Sequence, residues 1–552
     1  MPKQKFMQTF TGGMQGDVPS EAIPMDSIRT CKNFLIEYGI LKNRPGAKDF
    51  ASAEVNGAGE YIDSFMWYSE SICRQPMCYG SWHNAQSDGL VRIFKNTNNI
   101  MNNGSVTGFG ELVLTLPAGQ KGGFYLKAAA FNQKTYVMGT IDSGNNLEVL
   151  EIDNFTNTVT AHNLPGSNVE LRGRPFIVFA HLSRLFYVDP GGGSSGSIVP
   201  TVYWSKIGDA TVWTGHFTAG NVQLAEADDG VVAGGVCKNL IVLARPSGFH
   251  IGSPTGNAEL PYDWKAINKA GIGCAYPESF VIWGDLIFFC GTADVYQYDL
   301  SGLTAIGEGI TAQLFALTTL YGMTIRAFVT ESYANKHRPQ LHLLPTFAPS
   351  TYRQAGGSVD PPELDLTILP HFVYDILEKK WTTHIYDAAA DDDYPLEGVP
   401  LYMASPNPNT TLQMILNHRV GLVRRTATGA AYMIWDGLAE PECESVAQFV
   451  TGQIDFGDPT VEHKICRMLF MVRTSADNQN FTVSITYEQG NTFQSTGDMT
   501  VNVPDGGPWQ RVWLNKILVG NFFEMTVTCP AGVQWLFKSV LFEVDSGQEV
   551  RT

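Results

Sequence analysis

Short strand-like runs broken by Gly, Asn, Asp and Pro turns recur along most of this 552-residue chain, and helical periodicity is almost missing. The runs include Gly89–Lys95, Lys134–Gly139, Arg184–Asp189, Val202–Ser205, Asn239–Ala244, Asp285–Cys290, Val295–Leu300, His371–Asp375 and Tyr432–Asp436. Several share one logic, an apolar strand followed by one that ends in an aromatic residue and an Asp. Such a chain builds sheets rather than bundles, which points to sandwiches and propellers. Gly309–Tyr321 is the best candidate for a helix. The supply of 31 Phe and 21 Tyr, with 55 Gly and 29 Pro for the turns, fits the same class.

Spacing narrows the choice. Strand clusters recur every ~40–50 residues from about Tyr61 to Gly437, the length of a four-stranded propeller blade. The expected fold is therefore an all-β β-propeller of about six to eight blades. After Gly437 the pattern changes: Phe481, Val483, Ile485 and Tyr487 alternate with Thr482, Ser484 and Thr486, as in a half-buried antiparallel strand. The expected organisation is an extended N-terminal arm over 1–50, a propeller over 51–440 and a C-terminal β-sandwich over 441–552.

Charge bears on function. The chain carries 37 Lys and Arg against 54 Asp and Glu, a net charge of −17. Arg424-Arg425 and Lys379-Lys380 are isolated pairs, so no basic cluster is present to grip phosphates. Met1–Gly13 lacks the apolar stretch of a secretion signal, and no run reaches the ~20 apolar residues of a membrane helix. The expected setting is synthesis in the cytoplasm without a membrane anchor. Nine cysteines are scattered, only Cys73 and Cys78 lie close together, and the expectation is reduced, mostly buried thiols.

Candidate chemistry is thin. Gly192-Gly193-Ser194-Ser195-Gly196 matches the spacing of a hydrolase nucleophile elbow, but a Gly/Ser loop satisfies that spacing by composition alone. Gly271-Ile272-Gly273 is followed by Tyr276 where a dinucleotide loop has its third glycine. Asp228-Asp229 and Asp391–Asp393 lack the alternating oxygen spacing of a calcium loop. The eleven histidines show no metalloprotease spacing and read as surface or satisfied polar residues. Glycoside hydrolysis needs two carboxylates across a sugar, a pair that sequence cannot place. No catalytic, cofactor or metal residue is assigned, and the chain is expected not to be an enzyme.

Several stretches resemble one family. Gly12-Gly13 and Pro19 are followed by Cys31-x-Asn33 and then by Gly39-Ile40-Leu41-x-x-Arg44-Pro45-Gly46. Val202-Tyr203-Trp204-Ser205-x-Ile207-Gly208-Asp209-x-x-x-Trp213, Asp228–Val232 with Lys238–Leu243, Lys269–Cys274 and Val512-Trp513…Gly520…Phe523-x-Met525-x-Val527 extend the likeness over the whole length. Together they are similar to the tail nozzle, or tail tubular, proteins of podoviruses and to the packaged-DNA stabilisation proteins of related short-tailed phages. The resemblance implies a structural virion protein of the phage tail. In that reading it forms a homo-oligomeric ring, expected to be a hexamer, below portal and adaptor. The ring would retain and then conduct double-stranded DNA without binding it specifically, through a lumen richer in acidic than basic residues. Its implied partners are the head-to-tail adaptor, a tail fibre or tailspike, and a plug or needle protein. The chain is shorter than the longer nozzle proteins, and the family supplies no catalytic residues. The rival readings are a tail-associated propeller glycan hydrolase or lyase and a receptor-binding module.

Overall fold

The computed structural model describes residues 4–44, 48–49 and 177–189, the strands between 60 and 163, and most of 199–347, 370–384, 395–435 and 446–546. Its architecture is an all-β propeller joined to a β-sandwich. Six four-stranded sheets, and a seventh set of four strands inside a larger sheet, give seven blades among the described residues.

Blade 1 holds Glu60–Tyr68, Pro76–His83, Val91–Lys95 and Glu111–Thr115, and blade 2 holds Lys127–Phe131, Lys134–Thr140, Leu147–Asp153 and Val159–Asn163. Blade 3 is built from Ile177–His181, Arg184–Asp189, Thr201–Trp204 and Gly220–Gln223. Ala233–Cys237, Leu240–Arg245, Gly248–Pro254 and Tyr262–Ile267 form blade 4. Val281–Trp283, Leu286–Cys290, Val295–Tyr298 and Leu303–Ala305 form blade 5. Blade 6 takes Met323–Thr330, Gln340–Phe347, His371–Asp375 and Lys380–His384. Blade 7 takes Pro395–Met403, Asn417–Thr426 and Gly429–Trp435, and its fourth strand comes from the other end of the chain: Lys48 and Asp49 pair with Ile434 and Met433. The first strands of successive blades neighbour one another, and the first strand of blade 7 lies beside that of blade 1, so the circle is closed.

Local sequence explains the tight spots. Two-residue hairpins whose positions both take positive φ suit the right-handed twist of paired strands. Leu182 (φ 45°) with Ser183 (57°) and Lys238 (49°) with Asn239 (63°) turn this way without a glycine. The inner strand of blade 4 passes so near its neighbours that a Cβ on Gly234 would stand 2.5 Å from the Leu243 side chain, and one on Gly235 2.8 Å from that of Ile282. The helix expected over Gly309–Tyr321 runs Thr311–Tyr321, leads into blade 6 and ends at Gly322 with φ 63°.

The N-terminal segment departs from the expectation of an extended arm. Gln4–Gln8 pairs with Trp535–Ser546, and the hairpin Phe34–Glu37/Ile40–Asn43 lies on the same strand. Ser27–Lys32 pairs with Ala447–Thr451 on one side and touches Lys380–His384 of blade 6 on the other. Residues 4–43 are thus strands of the sandwich, whose eleven-stranded sheet runs unbroken into blade 6. The pairing is between chain ends, so no local periodicity reveals it. Phe10, Ile28, Cys31 and Phe34 share one continuous core with Phe449, Phe470, Trp535 and Phe537 of the C-terminal part, with Phe288 and Leu341 of blades 5 and 6 and with Leu314 of the helix between them. Arg338, buried among Glu37, Asp375 and Glu378, adds an ionic clasp between the hairpin and blade 6.

Candidate functional site

Alternating strand directions put two kinds of connection at opposite ends of every blade. The turns joining first to second and third to fourth strands share one face, here called the turn face. On it, Asn132 of blade 2 donates through Nδ2 to the Gly208 carbonyl of blade 3 (2.8 Å), while the Gly208 amide donates to the Ser183 carbonyl (2.8 Å). Arg184 Nη2 donates to the Ala258 carbonyl of blade 4 (2.6 Å). The Tyr262 hydroxyl reaches His181 Nδ1, whose ring presents Nε2 to Asn239 Oδ1 at 2.8 Å. Burial pushes the Tyr262 hydroxyl up to about 12, against the opposing pull of Arg184. Lys238 Nζ donates to the Asp299 carbonyl of blade 5 (3.2 Å). Asp299 accepts from the Ser301 and Gly302 amides, and these bonds hold its carboxyl down to about 2. Blades 2 to 5 therefore present one cross-braced surface.

That surface is partly apolar. Leu182, Ile207, Phe217 and Leu260 are 52%, 45%, 67% and 59% exposed. The segment around Val202–Trp213 builds much of it: Trp204 and Trp213 are buried, and Ser205 Oγ accepts from the Leu185 amide (2.9 Å), so Ile207 and Phe217 are carried outward on a fixed loop. Sequence reasoning marked this segment by its aromatic residues but not its exposure. The signal was there, since apolar residues inside a Gly/Asp/Thr-rich loop have no strand to bury them.

The axis is the other candidate. Among the described residues, the inner strands of blades 2 to 6 carry no carboxylate. Glu60 and Asp63 of blade 1 and Glu397 of blade 7 lie in the first half of adjacent inner strands, toward one mouth of the propeller. Glu278, in the connection before blade 5, is held by Arg326 at 2.5 Å.

Other marked residues serve the framework or lie outside the described residues, as Ser194, Ser195, Asp228, Asp391–Asp393 and Cys73 do. Asp229 accepts from Arg245 Nη1 (3.0 Å) and the Ser247 amide (2.8 Å). Gly273 sits where a Cβ would fall 2.0 Å from the Arg245 carbonyl oxygen. Lys379 turns the blade 6 hairpin with φ 57°, and Lys380 Nζ donates to the Gly12 carbonyl (3.0 Å). Among the described cysteines, five are buried and Cys466 is half-buried. Among the described residues no group of three or more His, Cys, Asp or Glu has the geometry to hold a metal ion, and no helix is long and apolar enough to cross a membrane.

Three of the histidines are buried rather than on the surface. His342, His371 and His384 stand side by side on adjacent strands of blade 6 and are fully buried, with His342 Nδ1 3.1 Å from His371 Nε2. Burial lowers His342 to about 3, and burial with the nearby Arg44 charge holds His371 and His384 well below their ordinary value.

No protein-family model and no curated protein matches the chain. Similar solved structures include an exo-β-1,3-galactanase from Phanerochaete chrysosporium, at 8% identity, TM-score 0.26, over 98% of this chain and 100% of that one. The β-propeller domain of the Trilobed protease from Pyrococcus furiosus matches at 10% identity, TM-score 0.33, over 68% and 96%. The WD40 domain of SCAP from fission yeast matches at 10% identity, TM-score 0.31, over 88% and 97%. Likenesses this distant carry no argument about substrate or partner. The expectation of a non-enzymatic chain is nonetheless corrected, because glycoside hydrolases stand among these structures and a propeller of this kind gives no ground for excluding catalysis.

Proposed function

We propose that this chain is a ring-forming subunit of the tail nozzle of a short-tailed bacteriophage, placed below portal and adaptor and conducting genomic DNA through the ring. The observation that supports it most is the work done by the N-terminal residues that carry the resemblance. Asn33 (φ 56°) donates from its amide to the Thr383 carbonyl and from Nδ2 to the Val446 carbonyl, and accepts from Arg44 at both its carbonyl and Oδ1. A Cβ on Gly12 would fall 1.9 Å from Ser27 Oγ, and Gly39 turns the hairpin with φ 73°. Asn33 and Gly12 join the sandwich to blade 6 through Thr383 and Lys380, so a family built on this joint would keep them. Electron microscopy of the phage particle tests the reading. The expected result is a sixfold ring of this protein on the tail axis; a position off the axis, or twofold or threefold averages, would remove it.

A second reading is a propeller that acts on glycans. It is favoured by Glu60, Asp63 and Glu397, which the topology brings to one mouth of the axis. The assay is release of reducing sugar from β-1,3-galactan and host surface polysaccharide. On this reading Glu60→Gln, Asp63→Asn or Glu397→Gln lowers the rate on the order of 10²–10⁴-fold. No product from the unaltered protein on any of these glycans would end it.

A further inference from the structure

The outer face of the seven-stranded sandwich sheet is unusual for a surface. Leu469 lies opposite both Trp513 and Leu541, and Leu541 lies opposite Met7, so four apolar side chains form one row across four strands. Met7 is 55% and Trp513 39% exposed. A second row runs Arg467, Glu543, Lys5. Arg467 forks onto the Glu543 carboxylate and lies over the Trp513 ring with its guanidinium carbon 4.0 Å from the centroid. The other side of the same strands fills the core with Met468, Phe470, Val540 and Phe542. Aromatic and Arg residues around an apolar row are the composition of a protein-binding centre.

Charge points to the occupant. On a chain of net charge −17, this face carries Lys5, Lys42, Lys464, Arg467, Arg473 and Arg511 against Glu37, Glu543 and Asp545, with Glu37 already paired to Arg338. The turn face of blades 3 to 5 has the opposite balance. Its connections carry Asp209, Glu259, Asp285 and Asp299, and its cations are engaged, Lys206 with Asp209 at 3.5 Å, Lys238 with the Asp299 carbonyl and Arg184 with the Ala258 carbonyl. The two surfaces cannot meet within one chain. The sandwich is fused to blade 6, and blade 3 lies across the seven-membered circle from it.

We infer that the occupant is a second copy of this chain, with the Trp513–Met7 row of one subunit seated on the Leu182–Phe217–Leu260 surface of the next. Two different patches that meet between copies make a heterologous contact, which closes into a ring when the rotation permits. The inference rests on the ring reading and specifies its interface.

Mass photometry and sedimentation of the unaltered protein and of Trp513→Glu, Met7→Glu and Phe217→Glu test it, with circular dichroism to show that each variant folds. The unaltered protein is expected to assemble, and each variant to associate roughly 30-fold more weakly or worse. Mixing Trp513→Glu with Phe217→Glu is the decisive arm. Each retains the surface the other lacks, so the mixture should yield dimers that grow no further. Rings that persist in Trp513→Glu and Met7→Glu, or a mixture that stays monomeric while the unaltered protein assembles, would overturn this interface and leave the ring reading standing. An unaltered protein that is monomeric both in solution and in the particle would remove the ring reading itself. Normal rings combined with loss of another tail component would assign the basic face to that component and overturn the inference.

Discussion

Asn33 occupies a left-handed backbone position and bonds to residues of three separate segments, at Arg44, Thr383 and Val446. Asn tolerates that conformation better than other side chains, because its short amide bonds locally. Asn33→Ala removes two side-chain bonds in a buried site and keeps the strained φ, so urea denaturation should show a loss of about 2–4 kcal/mol. A loss near zero would mean that the joint is held elsewhere. The histidine row predicts a pH response. His342, His371 and His384 are neutral in the fold because their values are lowered, whereas the unfolded chain takes up protons near the ordinary value of 6.5. Below that value the unfolded state binds more protons, so stability falls as pH falls, by up to about 1.4 kcal/mol per pH unit for each histidine. The loss runs downward from 6.5 and, for His342, levels off only near its folded value of about 3. Denaturation midpoints between about pH 7 and pH 5 should drop steeply, and less steeply in His342→Gln. A flat profile would show that these rings keep access to water.

Glycines separate two kinds of closeness at the scale of the strand. A Cβ on Gly235 meets the far end of the Ile282 side chain, which can rotate, whereas one on Gly273 meets a backbone oxygen at 2.0 Å. Gly235→Ala should cost about 1 kcal/mol, and Gly273→Ala about 3 kcal/mol or the fold itself; thermal unfolding would check the order. The Leu182–Ser183 turn is the opposite case, with two non-glycine residues at positive φ. Replacing the pair with Asn-Gly should stabilise blade 3 by about 1 kcal/mol. The sequence made strands, turns and the helix Thr311–Tyr321 legible, because period and punctuation are local. It could not reveal the closing strand of blade 7, since Lys48 and Asp49 have no periodicity of their own. The turn face was half legible: its segment was marked, but exposure depends on which loops the blades bring together.

For the whole molecule, the shared core of blades 5 and 6 with the sandwich makes a division into propeller and sandwich a division of shape, not of stability. Residues 51–440 produced alone should fail to fold, leaving blade 7 unclosed and the outer edge of blade 6 bare. A soluble piece with native-like circular dichroism and a sharp melt would show that the propeller stands by itself. Among the described residues Gln4–Gln8 pairs with Val540–Val544, which lie far along the chain from it. During synthesis Gln4–Gln8 must therefore wait for Val540–Val544, with Phe6, Phe10, Ile28 and Phe34 uncovered meanwhile. Contacts this distant slow folding and lengthen exposure to aggregation. The same thread that makes the finished molecule a single unit makes its nascent form the stage at which it is most easily lost, and the yield of active protein should respond more to translation speed and chaperone supply than its final stability would suggest.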